Sequence, residues 1–240
     1  MKHSLLLSLI AISIFIFYIA AIKKQNPIRL ASSKIKSKPT TQQVVNRLTP
    51  TVTQRLLPQL HQAGFSTLPD RLLLIAYKKE QILKVYGLHT GKWQLIKTYP
   101  FTATSGNLGP KLKEGDKQIP EGIYNIDYLN PASLFYLSMK VSYPNDFDKA
   151  KGLLDNRQNL GGDIFIHGKA ATIGCIPIGD EAIEELFILV EAADSQNTKV
   201  IIAPSDFTKG TPYPKITSVS WSKELYDKVK KELDALALQG

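Results

Sequence analysis

Seven short runs rich in Ile, Val, Leu and Tyr, most of them separated by Gly, Pro, Asn or Asp, fill the chain from about residue 71 to 203. They cover 72–77, 81–86, 93–98, 122–127, 135–141, 162–167 and 198–203. β-Branched and aromatic side chains suit a pleated, half-buried surface, and interruptions this frequent leave little room for long helices. The pattern predicts a mainly β domain, a largely antiparallel sandwich or barrel, with flanking helices. Asp180 is expected to cap one helix, with Glu181 and Glu184 near its positive end and Ile183, Phe187 and Val190 along one face. Ser222 is expected to cap a C-terminal helix to about 238, striped by Leu225, Val229, Leu233 and Leu236. Upstream, Val52, Leu56, Leu57 and Leu60 recur at helical spacing before Gly64, which predicts a short helix over 51–63.

The N-terminus obeys different rules. Residues 5–22 are apolar apart from Ser8, Ser13 and the Tyr18 hydroxyl, an 18-residue run between Lys2-His3 and Lys23-Lys24. A cleavable export signal has an apolar region of about 7–15 residues, whereas about 18 can just cross a bilayer. Ile19-Ala20-Ala21 is a poor cleavage site, so an uncleaved anchor in the inner membrane is preferred over a signal peptide. Lys23, Lys24 and Arg29 place more positive charge after the segment than before it, against the positive-inside rule, so an exported orientation has to come from function. Residues 27–41 are rich in Lys, Ser, Thr and Pro and read as a tether. The expected division is a signal or anchor over 1–25, a tether and short helix over 26–70, the β domain over 71–207 and a helical extension over 208–240.

Composition narrows function mostly by exclusion. Thirty Lys and Arg against 21 Asp and Glu give a formal charge of +9. No dense basic block interleaved with aromatics accompanies that excess, so nucleic acid is not an expected partner. There is no phosphate-binding loop, nucleophile-elbow serine or dinucleotide fingerprint, and His3, His61 and His89 stand singly, so no metal or organic cofactor is expected. The single cysteine, Cys175, cannot form an internal disulfide. It is either an inert buried thiol or a reactive one.

Its surroundings favour reactivity. The stretch His167-Gly168-Lys169-Ala170-Ala171-Thr172-Ile173-Gly174-Cys175 follows an apolar strand and precedes the Asp180 helix. A thiol with a pKa near 8.5 needs a neighbouring imidazole to accept its proton, and His167 is the histidine close in sequence. Gly174 permits close backbone approach, and the Gly174 and Cys175 amides are candidate oxyanion donors. A backbone carbonyl can hold the second ring nitrogen of His167. Thr172 either orients this loop for chemistry or serves the backbone as a turn hydroxyl.

These residues resemble the YkuD-type L,D-transpeptidases, and more closely their YafK-like branch. The signature there is His-Gly, a short loop, then Ser or Thr, any residue, Gly, Cys, matched by His167-Gly168 and Thr172-Ile173-Gly174-Cys175. The block from Ser105 through Gly115-Asp116 to Pro120-Glu121-Gly122 and the loop Tyr143-Pro144-Asn145-Asp146-Phe147-Asp148 also resemble that branch. Three departures stand out: Pro177 where the wider family usually has Arg, Ile173 directly before Gly-Cys, and Ile119 before Pro120.

The resemblance implies an L,D-transpeptidase-like β fold and a cell-wall enzyme acting on peptidoglycan stem peptides in the periplasm. Cys175 would form a thioester with the third stem residue and expel the terminal D-alanine, with His167 as base and Gly174 in the catalytic loop. Gly168, Thr172, Tyr143, Asn145 and Asp146 are the implied substrate-binding positions, although the last three can equally form a self-stabilised loop. The acceptor would be a second stem or a wall-linked lipoprotein. A thiol hydrolase using water at the same site, and a catalytically silent wall-binding module, are the alternatives.

Overall fold

The computed structural model describes residues 37–237. The apolar run over 5–22 and most of the expected tether lie outside them. Among the described residues no helix is long and apolar enough to cross a membrane. Helix α1 (Thr41–Gln62) starts well before the expected residue 51. Thr40 caps it reciprocally: Gln43 N–H donates to Thr40 Oγ1 at 3.2 Å, and Thr40 N–H donates to the Gln43 side chain at 3.0 Å. Pro50 and Pro58 lie inside the helix, and each interior proline costs about 3 kcal/mol. Val44, Leu48, Val52, Leu56 and Leu60, spaced every four residues, are all buried. At about 1.5–3 kcal/mol for each buried aliphatic side chain, that stripe outweighs the two prolines.

Among the described residues the strands are β1 (Leu72–Tyr77), β2 (Ile82–His89), β3 (Lys92–Pro100), β4 (Gly122–Ser133), β5 (Tyr136–Val141), β6 (Phe165–His167), β7 (Ile176–Pro177) and β8 (Thr198–Ala203). All seven expected strands form, and the two-residue β7 is new. They make a curled sheet in the order β3-β2-β1-β8-β4-β5-β6-β7. The β1–β8 and β6–β7 pairings are parallel and the others antiparallel. β4 turns the corner of the curl, because its first residues pair with β8 and its later ones with β5.

Helices cover both faces of this sheet, so the expected mainly β fold with flanking helices takes the form of one curled eight-stranded sheet. The reason is visible in β1, where every residue is buried. Leu72, Leu74 and Ala76 point into one core with α1 and helix α3 (Asp180–Ala193). Leu73, Ile75 and Tyr77 point into a second core with Leu225, Tyr226, Val229 and Leu233 of helix α4 (Ser222–Ala237). Side chains alternate along a strand, so a strand apolar at every position needs a cover on each side. An unexpected helix α2 (Asp146–Leu154) follows β5.

One buried carboxylate fastens the long connection between β3 and β4. Glu121, with 0% exposure, accepts the Lys78 ammonium at 3.0 Å, the Gly109 N–H at 2.8 Å and the Tyr226 hydroxyl at 2.8 Å. Lys78 donates further to the carbonyls of Gly109 and Ile119. The connection is thereby pinned to β1 and α4, and its Gln118 carbonyl backs the cysteine loop.

Candidate active site

β6 and β7 run parallel, with Ile166 opposite Ile176 and His167 opposite Pro177. That register sets Cys175 level with Phe165. Strand periodicity puts Phe165, His167 and Cys175 on one face, while Ile166 and Ile176 turn into the core. With strands about 4.8 Å apart and a rise of about 3.3 Å per residue, the cysteine and histidine backbones lie roughly 8 Å apart on the diagonal, a gap their side chains can close. Both line a cleft of about 500 Å³ together with Asn130, Ser133, Leu134, Phe135, Ser138, Asp163, Phe165, Ala171, Thr172 and Ile173.

His167 is held ready to accept a proton. Its Nδ1 lies 2.6 Å from the carbonyl of Gly168. A carbonyl only accepts, so Nδ1 carries the hydrogen and Nε2 presents a lone pair. Nε2 has no partner among the described residues. His167 is 1% exposed, and burial pushes its pKa below the usual histidine value, with the Gly168 carbonyl opposing. Burial likewise pushes the Cys175 thiol up, and the charge of Asp163 adds to this. A backbone hydrogen bond at Phe165 is the larger opposing influence, followed by Lys140 and Lys111. Both shifts favour neutral forms. The resting pair is therefore a thiol and an imidazole, not a thiolate and an imidazolium. The thiol donates to the Asp163 carbonyl at 3.5 Å.

The loop between them is tied down at several points. Thr172 Oγ1 accepts from the N–H groups of Gly174 at 3.1 Å and Cys175 at 2.8 Å, and it donates to the Cys175 carbonyl at 2.7 Å. Here Thr172 serves the backbone. The two amides expected as oxyanion donors are both bonded to that hydroxyl in this structure. Gly174 has φ +137°, and a β-carbon there would sit 3.2 Å from the Gln118 carbonyl oxygen. Gly168 is required by space, since a β-carbon would come within 2.6 Å of the Asp180 carboxylate and 2.8 Å of the Phe135 carbonyl. Asp180 is not the helix cap. Gly179 occupies that position without a side-chain bond, and the Asp180 carboxylate accepts the Lys169 N–H at 2.8 Å.

Tyr143, Asn145 and Asp146 do not line the cleft. Tyr143 is buried, and its hydroxyl donates to the Leu160 carbonyl at 2.9 Å. Asn145 caps α2 in a reciprocal pair with Asp148, and Asp146 is the exposed first residue of that helix. The polar groups of Tyr143 and Asn145 are used in building the loop, as a self-stabilised turn requires, while the Asp146 carboxylate faces Lys149 at the surface. Two residues that sequence reasoning missed stand in their place. Phe135 lies over the His167 ring, with centroids 4.5 Å apart, and Asp163 is a charged wall of the cleft. Phe135, expected to open the strand run 135–141, instead sits in the turn before β5, beside Tyr136 at φ 75°. Leu134 and Ile173, 90% and 77% exposed, form an apolar rim. Among the described residues no cluster of His, Cys, Asp and Glu is arranged to hold a metal ion.

Residues 68–202 match the family model described as YkuD, L,D-transpeptidase catalytic domain. YafK of Escherichia coli strain K12, provisionally named an L,D-transpeptidase, is 34% identical over 119 residues, which cover 49% of this chain and 46% of that protein. Among solved structures, the helical cell shape determining protein Pgp2 from Campylobacter jejuni aligns with a TM-score of 0.46 and 25% identity over 56% of this chain and 48% of that one. Bd1075 of Bdellovibrio bacteriovorus aligns with a TM-score of 0.42 and 21% identity over 67% of this chain and 56% of that one. The chain spans about half the length of the first of these relatives.

Proposed function

The chain belongs to the YkuD family of L,D-transpeptidase catalytic domains, and on that premise we propose that it transfers acyl groups of peptidoglycan stem peptides through a thioester on Cys175. The observation that carries this reading is that a partly exposed thiol just before β7 and an unpartnered imidazole nitrogen at the end of the adjacent parallel β6 line one cleft. In the first step His167 Nε2 takes the thiol proton as sulfur attacks the carbonyl of the third stem residue. Because both groups rest neutral, this proton moves during attack and not beforehand. The tetrahedral intermediate collapses as the imidazolium returns its proton to the leaving D-alanine amine, and the thioester remains. An acceptor amine then loses a proton to His167 and displaces sulfur as a thiolate, which takes that proton from the imidazolium and regenerates the thiol and neutral imidazole.

Oxyanion stabilisation needs a rearrangement. The Gly174 and Cys175 amides can serve a developing negative charge once Thr172 Oγ1 turns away from them. The acceptor is a second stem peptide or a wall-linked lipoprotein. The apolar segment over 5–22 would hold the domain at the outer surface of the inner membrane, in reach of the wall.

Purified full-length protein incubated with tetrapeptide and cross-linked muropeptides provides the test, with intact-protein and product masses followed together. A Cys175 adduct and new cross-links are expected in the wild type and not in Cys175→Ala. Product loss without new bonds would assign hydrolysis. A wild type that never forms the adduct would leave a silent wall-binding module.

A further inference from the structure

Among the residues that line the cleft beside Cys175, one side chain, that of Asp163, is a carboxylate and none is a lysine or arginine. Asp163 is exposed, and among the described residues its side chain makes no ion pair or hydrogen bond, while its own carbonyl receives the thiol at 3.5 Å. Three lysines stand just outside that lining, each bonded to groups other than Asp163: the Lys169 ammonium donates to the Leu134 carbonyl at 3.0 Å, and Lys140 and Lys111, whose charges reach the thiol, are likewise engaged. The Lys140 ammonium donates to the carbonyls of Gly162, Val141 and Tyr143, and Lys111 pairs with Asp116 at 2.6 Å. Position 177, two residues beyond the thiol, is Pro and carries no charge.

The remaining walls raise the stakes of that single charge. Leu134, Phe135, Phe165 and Ile173 exclude water once a ligand enters, and a drier surrounding strengthens attraction to a cation while making a buried anion costly. A peptide bringing a carboxylate to this wall meets repulsion, and one bringing an ammonium group completes a charge-assisted hydrogen bond.

We propose that Asp163 is a specificity residue whose carboxylate binds an ammonium group on the peptide presented to Cys175. This rests on the acyl-transfer reading for the identity of the peptide. The ammonium can belong to the side chain of the residue that offers its carbonyl, or to the incoming acceptor.

Binding measured without chemistry tests this. Full-length Cys175→Ala protein in detergent micelles is titrated calorimetrically with a tetrapeptide bearing a side-chain amine on its third residue, with the same peptide acetylated at that amine, and with an acceptor peptide in amine and acetylated forms. The free amine is expected to bind about tenfold more tightly than its acetylated partner, as one charge-assisted hydrogen bond warrants. Adding Asp163→Asn should abolish the preference and leave the acetylated peptide's affinity unchanged. Asp163→Lys should reverse it toward a succinylated peptide. Preference confined to the donor or to the acceptor pair assigns the source of the ammonium. Equal binding of amine and acetylated forms, a preference that survives Asp163→Asn, or no binding by any peptide would overturn the inference. Wild-type protein run beside these separates the two readings: selective binding without a Cys175 adduct sinks acyl transfer alone, and an adduct without amine preference sinks the role of Asp163 alone.

Discussion

Phe135 lies across the imidazole of His167, with ring centroids 4.5 Å apart and planes inclined by 33°. The aromatic ring helps exclude water from the nitrogen that must accept the thiol proton, and that dryness is the main cause of the lowered histidine pKa. Phe135→Ala should let water in and move His167 back up toward the ordinary value of about 6.5. Phe135→Leu should shift it less. Titration of the imidazole carbon and nitrogen resonances by NMR measures this directly, and identical curves for wild type and Phe135→Ala would show that the ring does not set the histidine's basicity.

The two shifts at the site predict the shape of the pH profile. A base is competent only when deprotonated, so with His167 lowered the acid limb of acyl transfer should fall below about pH 6.5. With the thiol raised, alkylation of Cys175 by a small neutral electrophile should be slow at neutral pH and keep climbing above about pH 8.5, the ordinary range for a free thiol. A plateau of fast alkylation at neutral pH would instead reveal a resting thiolate.

Thr172 holds the cysteine loop through one hydroxyl that accepts two N–H groups and donates to one carbonyl. Thr172→Val keeps the shape and removes all three bonds, leaving partly buried amides unpaired at a cost of about 1–3 kcal/mol. Thr172→Ser should stay close to wild type in melting temperature and in the rate of thioester formation, whereas Thr172→Val should lose on both. A valine variant that melts like the wild type would mean that the loop finds other partners.

Leu56 and Leu57 are neighbours with opposite fates. Leu56 is fully buried in the core shared by α1 and α3, and Leu57 is 40% exposed. Leu56→Ala should destabilise by about 2–5 kcal/mol, and Leu57→Ala by about 0.5 kcal/mol or less. Urea unfolding of the two variants gives the comparison. Equal midpoints would mean that α1 contributes nothing to the stability of the sheet, although it lies outside the residues matched by the family model.

Strands and chemistry were legible for different reasons. The seven runs announced themselves by their β-branched, Leu and Tyr side chains between turn-forming residues, although β2 continues through Gly87 and β4 through Asp127, and the His-Gly and Gly-Cys pairs stood out because one thiol and one nearby imidazole leave few assignments. The start of α1 was hidden by Pro50, although the four-residue spacing from Val44 to Leu60 was already in the sequence. β7 escaped because two residues carry no period and the strand exists through pairing with β6. The fate of the oxyanion amides was invisible for a similar reason. A threonine three residues before a cysteine can face solvent, substrate or backbone, and the fold alone selects the backbone here. Asp163 was passed over because it falls inside the expected run 162–167 and belongs to no motif; in the fold β6 begins only at Phe165, which leaves Asp163 ahead of the strand at the wall of the cleft without an ion-pair partner among the described residues.

The position of β8 sets how this chain can be assembled. It is the last strand in chain order among the described residues, yet it lies between β1 and β4 inside the sheet, in register with Leu72–Tyr77 on one side and Gly122–Asn125 on the other. Until residues 198–203 arrive, β1–β3 and β4–β7 are two fragments with raw edges. Pairing partners so distant along the chain fold slowly and expose sticky borders meanwhile. A polypeptide truncated before Thr198 would keep both His167 and Cys175 and still have no central strand to unite the halves of its scaffold.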